Sequence, residues 1–163
     1  MAKWSIGAIE IFPLVEVEAG ALIQSIIENA SPENIRKIPC LCPDFADTNG
    51  KFKAVVQCFL IHDDNKWILV DACNGNDKSR SDMPIWSHLR TDFIDNLRAI
   101  GITEADINFV ICTHLHCDHV GWLTRLENGR WIPTFPNAKH IVVRNEFEYW
   151  KTKPAAYAPG FEP

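Results

Sequence analysis

The chain has 163 residues, 47% hydrophobic and 23% charged, with a formal net charge of −5 and a sequence pI near 5.6. This is the composition of a globular domain or part of one, and it offers no basic footprint for nucleic acid and no apolar stretch able to cross a membrane. Met1-Ala2-Lys3-Trp4 leads directly into strand-like sequence without a hydrophobic signal core, so a cytoplasmic location is expected, with the six cysteines as free thiols.

In chain order, Ser5 to Ile11 and Leu14 to Val17 read as two strands separated by Phe12-Pro13. Ala21 to Asn29 is apolar and fits either a helix or a strand. Ser31-Pro32-Glu33 opens a helix, with Ser31 as cap and Pro32 at the first helical position. Residues 38–53 form a turn-rich insertion carrying Pro39, Pro43, Asn49 and Gly50. Cys40 and Cys42 lie within it as a weak candidate for a metal or redox pair, two positions apart with no partner Cys or His nearby. Val55 to His62 and Trp67 to Val70 predict a hairpin turning over Asp63-Asp64-Asn65, with His62 at its edge.

Pro84 to Ile100 predicts the longest helix, from Ile85, Leu89, Phe93, Leu97 and Ile100 at helical spacing, ended by Gly101. His88 falls inside it. Thr103-Glu104-Ala105-Asp106 has the form of a capping box. Ile107 to Cys112 is an apolar, β-branched run that reads as a buried strand, with Cys112, like Cys58, a core residue. Trp122 and Trp131 are read as core residues or as cleft walls. Phe135-Pro136-Asn137 introduces a strand around His140, and Asn145 caps a last helix bearing Phe147 and Trp150. Lys153 to Pro163 reads as a connecting loop. Strands alternating with helices predict a layered α/β domain.

The chemistry concentrates in Thr113-His114-Leu115-His116-Cys117-Asp118-His119. Three imidazoles and a carboxylate occupy six positions, 114–119, directly after the apolar strand. Open α/β sheets gather ligands at the carboxyl ends of their strands. In extended backbone His114 and His116 project to the same side and can meet one ion. Asp118 and His119 follow once the chain has begun to turn, and can address a neighbouring ion. Imidazole with carboxylate suits zinc best, with iron or manganese as alternatives. Cys117 lies between these residues and is expected to face away from them.

This segment resembles the His-x-His-x-Asp-His signature of the metallo-β-lactamase-fold superfamily, matching at every position. Upstream, Lys66 to Val70 followed by Asp71-Ala72-Cys73-Asn74-Gly75 is similar to the superfamily's strand that ends in an aspartate and a glycine turn. The resemblance implies an α/β fold: the first half of an αββα sandwich, a mixed sheet with helices packed on it. It implies His114 and His116 on a first metal, and Asp118 and His119 on a second. Asp118 would also be catalytic by orienting the attacking hydroxide, while Asp71 and Thr113 would support the ligands without binding metal. A solvated turn aspartate is the alternative for Asp71.

The superfamily's second half supplies further metal ligands. His140 is the only histidine after His119, no aspartate follows Asp118, and the chain ends 44 positions after His119 (163 − 119). Residues 1–163 are therefore expected to be the N-terminal portion of such a domain, with His140 structural. The implied function is metal-dependent hydrolysis of an ester, lactone, thioester or amide by hydroxide generated at two zinc ions. The His-Cys-Asp-His-Val-Gly-Trp wording resembles the lactonase and organophosphate-hydrolase-like branch more than the true β-lactamases. Two other readings stand beside it: a catalytically incomplete metal-binding or dimerising fragment, and an iron-dependent redox relative of the fold. The expected partner is a small-molecule substrate, with a homodimer left open.

Overall fold

Alternation of side chains along a strand sorts them onto two faces, and Val56, Cys58 and Leu60 fall on the buried side of theirs. The computed structural model describes residues 2–81 and 83–153. Within them the strands are β1 (Trp4–Ile6), β2 (Ile9–Glu18), β3 (Val55–Asp63), β4 (Lys66–Val70), β5 (Ile107–Ile111), β6 (Thr124–Glu127), β7 (Arg130–Pro133) and β8 (Lys139–Ile141). Six of them form one mixed sheet in the order β1-β2-β3-β4-β5-β8. β3 and β4 are antiparallel, whereas β5 runs parallel to both β4 and β8. β6 and β7 make a separate hairpin. The expected α/β fold with a mixed sheet is present.

The helices are α1 (Gly20–Ile26), α2 (Pro32–Arg36), α3 (Phe93–Arg98), α4 (Cys117–Val120) and α5 (Arg144–Lys151). The chain divides into two compact units, one of residues Val17–Val56 and one built from the segments on either side of it. The smaller unit contains α1, α2 and the turn-rich stretch. Ser31 caps α2 as expected, its side chain accepting the Asn34 N–H at 3.2 Å. Ala19, Ile35, Ala46 and Val56 are buried apolar residues of this unit.

In the larger unit Leu60, Leu69, Phe93, Leu97, Ile107, Val110 and Phe135 are fully buried. The β4–β5 ladder slips by a residue between Trp67 and Ile68, and the Asn108 side chain fills the slip by accepting the Trp67 N–H at 2.8 Å. Glu104, also buried, accepts from Arg98 at 2.9 Å and Arg125 at 3.0 Å.

Four expectations need correction. The break at Phe12-Pro13 does not occur, because β2 runs unbroken from Ile9 to Glu18; proline only removes a donor, which an extended strand accommodates. The helix over Pro84 to Ile100 is reduced to a single turn at Pro84–Trp86 and to α3. Between them the chain takes its hydrogen bonds from residues 76–78 instead. His88 N–H donates to Lys78 O at 2.7 Å with φ 51, and Thr91 exchanges bonds with the Asn76 amide at 2.8 and 3.0 Å. His88 is thus an exposed loop residue, not a helical one. Finally, Asn145 is not a cap: α5 begins at Arg144 with Val143 in the cap position, two residues earlier than expected. The connecting loop read at the end of the chain lies, from residue 154 onward, outside the described residues.

Candidate metal centre

Parallel pairing sets the site. Val70 of β4 is opposite Ile111 of β5, so the two strands end level with each other. Asp71 continues β4 by donating its N–H to Ile111 O at 2.8 Å, and then turns with φ 65. Aspartate tolerates that left-handed conformation better than most residues. The turn brings its carboxylate across the end of β5. There Oδ1 accepts the Thr113 N–H at 2.8 Å and Oδ2 accepts the Thr113 hydroxyl at 2.9 Å. Asp71 is 9% exposed, so the solvated-turn alternative is discarded.

After β5 the chain bends at Thr113 and His114 and reaches His116, whose own φ/ψ are extended and which precedes α4. Cys117 to Val120 then coil, which lifts Asp118 and His119 back over the strand end. The three imidazoles converge. His114 Nε2 lies 3.1 Å from His116 Nδ1, and the His114 and His119 ring centres are 3.8 Å apart. His119 Nδ1 lies 2.9 Å from Asp71 Oδ2, and its Nε2 lies 3.5 Å from Asp118 Oδ2. Thr113 Oγ1 is 3.1 Å from His114 Nδ1. All six residues marked in the sequence therefore meet. His62, His88 and His140 do not join them: His62 stacks on Trp67, and His140 lies on the edge strand β8.

The charges follow the contacts. Burial disfavours the His119 cation, but Asp118 and Asp71 outweigh it and push the imidazole up to about 9. Burial and the neighbouring His119 and His116 push His114 down, towards the neutral ring. Burial opposes ionisation of Asp71 and Asp118, yet both are held below the usual carboxylate range by His119. Burial raises the Cys117 thiol, so it is a neutral neighbour here.

A cluster that retains a proton between two carboxylates at neutral pH is one that attracts positive charge. The donors are those of a divalent cation site, neutral imidazole and carboxylate. Among the described residues, no three His, Cys, Asp or Glu side chains already surround one point at ligand spacing; nitrogen faces nitrogen instead. His119 Nδ1 faces the Asp71 carboxylate at 2.9 Å, which leaves Nε2 as the ring nitrogen able to meet a cation. By donor chemistry, three imidazoles and a carboxylate gathered at one strand end, the residues fit a cation.

Other residues brace the cluster, some of them in the Asp71 to Gly75 turn and the Gly121-Trp122 stretch that the sequence had marked, while Glu16 and Arg80 had no signal there. The turn after Asp71 and the end of α4 form a backbone lattice: Ala72 N–H to His119 O at 2.8 Å, Gly121 N–H to Cys73 O at 2.7 Å, and Trp122 N–H to Ala72 O at 2.7 Å. At this crossing a Cβ on Gly121 would stand 1.8 Å from Asn74 O. Glu16 and Arg80 reach the same crossing, and Trp150 of α5 meets the His116 ring edge-on at 5.6 Å. Trp122 is a core residue, stacked on Phe93 at 5.0 Å, while Trp131 is 39% exposed under the Lys78 ammonium.

Residues 53–163, more than half of the chain, match the family model described as the metallo-beta-lactamase superfamily. The chain belongs to that superfamily. The N-acyl homoserine lactonase AttM of Agrobacterium fabrum is 43% identical over 56 residues, 34% of this chain and 18% of the relative. AttM of Azorhizobium caulinodans is 41% identical over 66 residues, 39% and 22% of the two chains. Among solved structures, AidC, a dizinc quorum-quenching lactonase, superposes with a TM-score of 0.67 at 21% identity, over 94% of this chain and 48% of that one. The hydrolase AbOPH superposes with a TM-score of 0.65 at 23% identity, over 94% and 47%. At those identities the likeness is one of fold. The present chain spans about half the length of these two structures.

Proposed function

We propose that this chain carries the His-x-His-x-Asp-His part of a metal-dependent hydrolase that opens lactones. The observation that supports it most is the convergence of His114, His116, Asp118 and His119 at the end of β5, braced by Asp71 through Thr113 and His119. The local identity to N-acyl homoserine lactonases supports lactones as the substrate class.

In this reading His114 and His116 hold one divalent cation, and Asp118 and His119 a second, with zinc the ion best suited to the donors. When bound, such ions supply Lewis acidity towards the carbonyl and acidify water. The chain's own residues do the rest. Asp118 offers a charged acceptor that orients the attacking water. Asp71 fixes the His119 ring from behind, as supporting carboxylates do for metal-binding histidines. The Thr113 hydroxyl steadies His114 at Nδ1.

The test is turnover of an N-acyl homoserine lactone panel by the full gene product, before and after chelation. Lactone opening that chelator abolishes and zinc restores is the expected result. Turnover indifferent to chelation, or none with zinc, would overturn the proposal.

A further inference from the structure

Glu16 stands at the end of β2, remote in sequence from every residue of the candidate centre, and its carboxylate is engaged at four points. It accepts the backbone N–H groups of Asn74 at 2.7 Å and Gly75 at 3.0 Å, the indole N–H of Trp122 at 2.6 Å, and the Thr91 hydroxyl at 3.4 Å. On the other side of the same turn, the buried Arg80 donates to Asn74 O at 2.5 Å and to Cys117 O at 3.2 Å. An anion thus holds the N–H side of the Asn74–Gly75 turn, and a cation holds its carbonyl side and the first turn of α4.

This turn joins the Asp71 loop to α4. Its backbone already interlocks with Gly121, so a displacement of Asn74–Gly75 displaces Ala72 and Gly121, and through them His119, whose carbonyl accepts the Ala72 N–H. A carboxylate accepting several N–H bonds in a desolvated setting is a strong and directional tie. Burial pushes the Glu16 carboxyl above its usual range, and these donors counter it in part.

We propose that Glu16 is a positioning residue for the candidate metal centre: it sets the distance between the Asp71 loop and α4, and hence between Asp71 and the His119 ring. Arg80 completes the clasp from the opposite side. The role as stated for metal binding rests on the function proposed above, but the positioning itself can be read without metal.

The experiment compares wild type with Glu16→Gln, which keeps the shape and loses the charge, and with Trp122→Phe, which keeps an aromatic but smaller side chain and loses the indole N–H donor to Glu16. Amide exchange and imidazole ¹⁵N shifts are followed in metal-free protein, then zinc affinity is measured. In both variants the Ala72, Gly121 and Trp122 amides should exchange faster, by about tenfold or more, while the β4 and β5 amides keep their rates. The His119 ring shifts should move, and zinc should bind more weakly. Should Glu16→Gln fail to fold, Trp122→Phe still reads the same amides and the same ring. Unchanged exchange at the three amides with unchanged His119 shifts would overturn the proposal. A uniform rise in exchange across the sheet with His119 unmoved would also overturn it, reducing Glu16 to general stability. If wild type binds no zinc while the amides and His119 respond as expected, the positioning role stands and the metal reading fails.

Discussion

Asp71 and His119 meet side chain to side chain, Oδ2 to Nδ1 at 2.9 Å, although 48 positions separate them (119 − 71). The same carboxylate accepts the Thr113 N–H, so one residue of the β4 end holds both ends of the histidine-rich segment. In the metal-free protein His119 is pushed up to about 9 by Asp118 and Asp71 together, against burial, so its protonated form stabilises the fold. With the folded value raised above the unfolded one, that stability is fully present below pH about 6.5 and is lost as pH rises through about 9. Asp71→Asn should bring the His119 titration down towards its ordinary range, followed by NMR. Asp71→Ala should cost more stability, about 2–3 kcal/mol in urea unfolding, because Thr113 loses its acceptor and alanine fits φ 65 poorly.

Asp118→Asn should separate activity from folding in the full gene product. The amide keeps the volume and one acceptor at the start of α4 but removes the negative charge facing His119. Turnover of a lactone should fall by about a hundredfold or more, with reduced metal content, while the melting temperature changes little. Wild-type turnover with full metal content would remove Asp118 from the proposed ligands.

Gly121→Ala tests the crossing by steric means alone. Gly121 has an ordinary φ of −60, so its absent side chain is explained by space, with Asn74 O only 1.8 Å from a would-be Cβ. Backbone on both sides leaves little to give. The substitution should cost about 3 kcal/mol or more, or prevent folding. Gly129→Ala, at φ 77 but with nothing within 4 Å, should cost only about 1 kcal/mol. Comparable losses in chemical unfolding would show that the close approach is not what requires Gly121.

Lys78 predicts a pH dependence of opposite sign to that of His119. It is 8% exposed, bonded to Thr124 Oγ1 at 2.8 Å and placed 3.9 Å from the Trp131 ring centre. Burial, with the nearby Arg80 charge, pushes its ammonium down to about 8 against the opposing pull of Asp77. The folded state therefore releases the proton before the unfolded chain does. The cost of the buried charge is full below pH about 8 and is relieved as pH rises towards 10.5. Relative to Lys78→Met, wild type should gain on the order of 1–2 kcal/mol between pH 7 and pH 10. A stability difference that stays flat over that range would contradict this account.

The local signals in the sequence were sufficient where structure is set by neighbours in the chain. The β3–β4 hairpin, the Ser31 cap, the Thr103 to Asp106 box and the buried strand before the motif follow from period, cap and turn chemistry, and each is found. The β6–β7 hairpin was equally legible in Asn128-Gly129, a dipeptide suited to left-handed turns, but was not read. The histidine motif also carried its own meaning, because four residues of metal-binding type in six positions leave few other uses. The helix over 84–100 was lost for the opposite reason: its helical spacing was real, but Asn76 and Lys78 offered the backbone competing partners that no local pattern could reveal.

What the sequence determined by itself was therefore the elements set by local chemistry and the gathering of ligand-type residues directly after β5. Only the tertiary structure decided what holds those residues in place. Asp71 reaches Thr113 and His119 because β4 and β5 pair in parallel with Val70 level with Ile111. Glu16 reaches Asn74 across 58 positions, and Trp122 across 106. A carboxylate's partners in a buried site depend on strand order and register, which are settled by the packing of the whole sheet and leave no periodic trace around the residue itself.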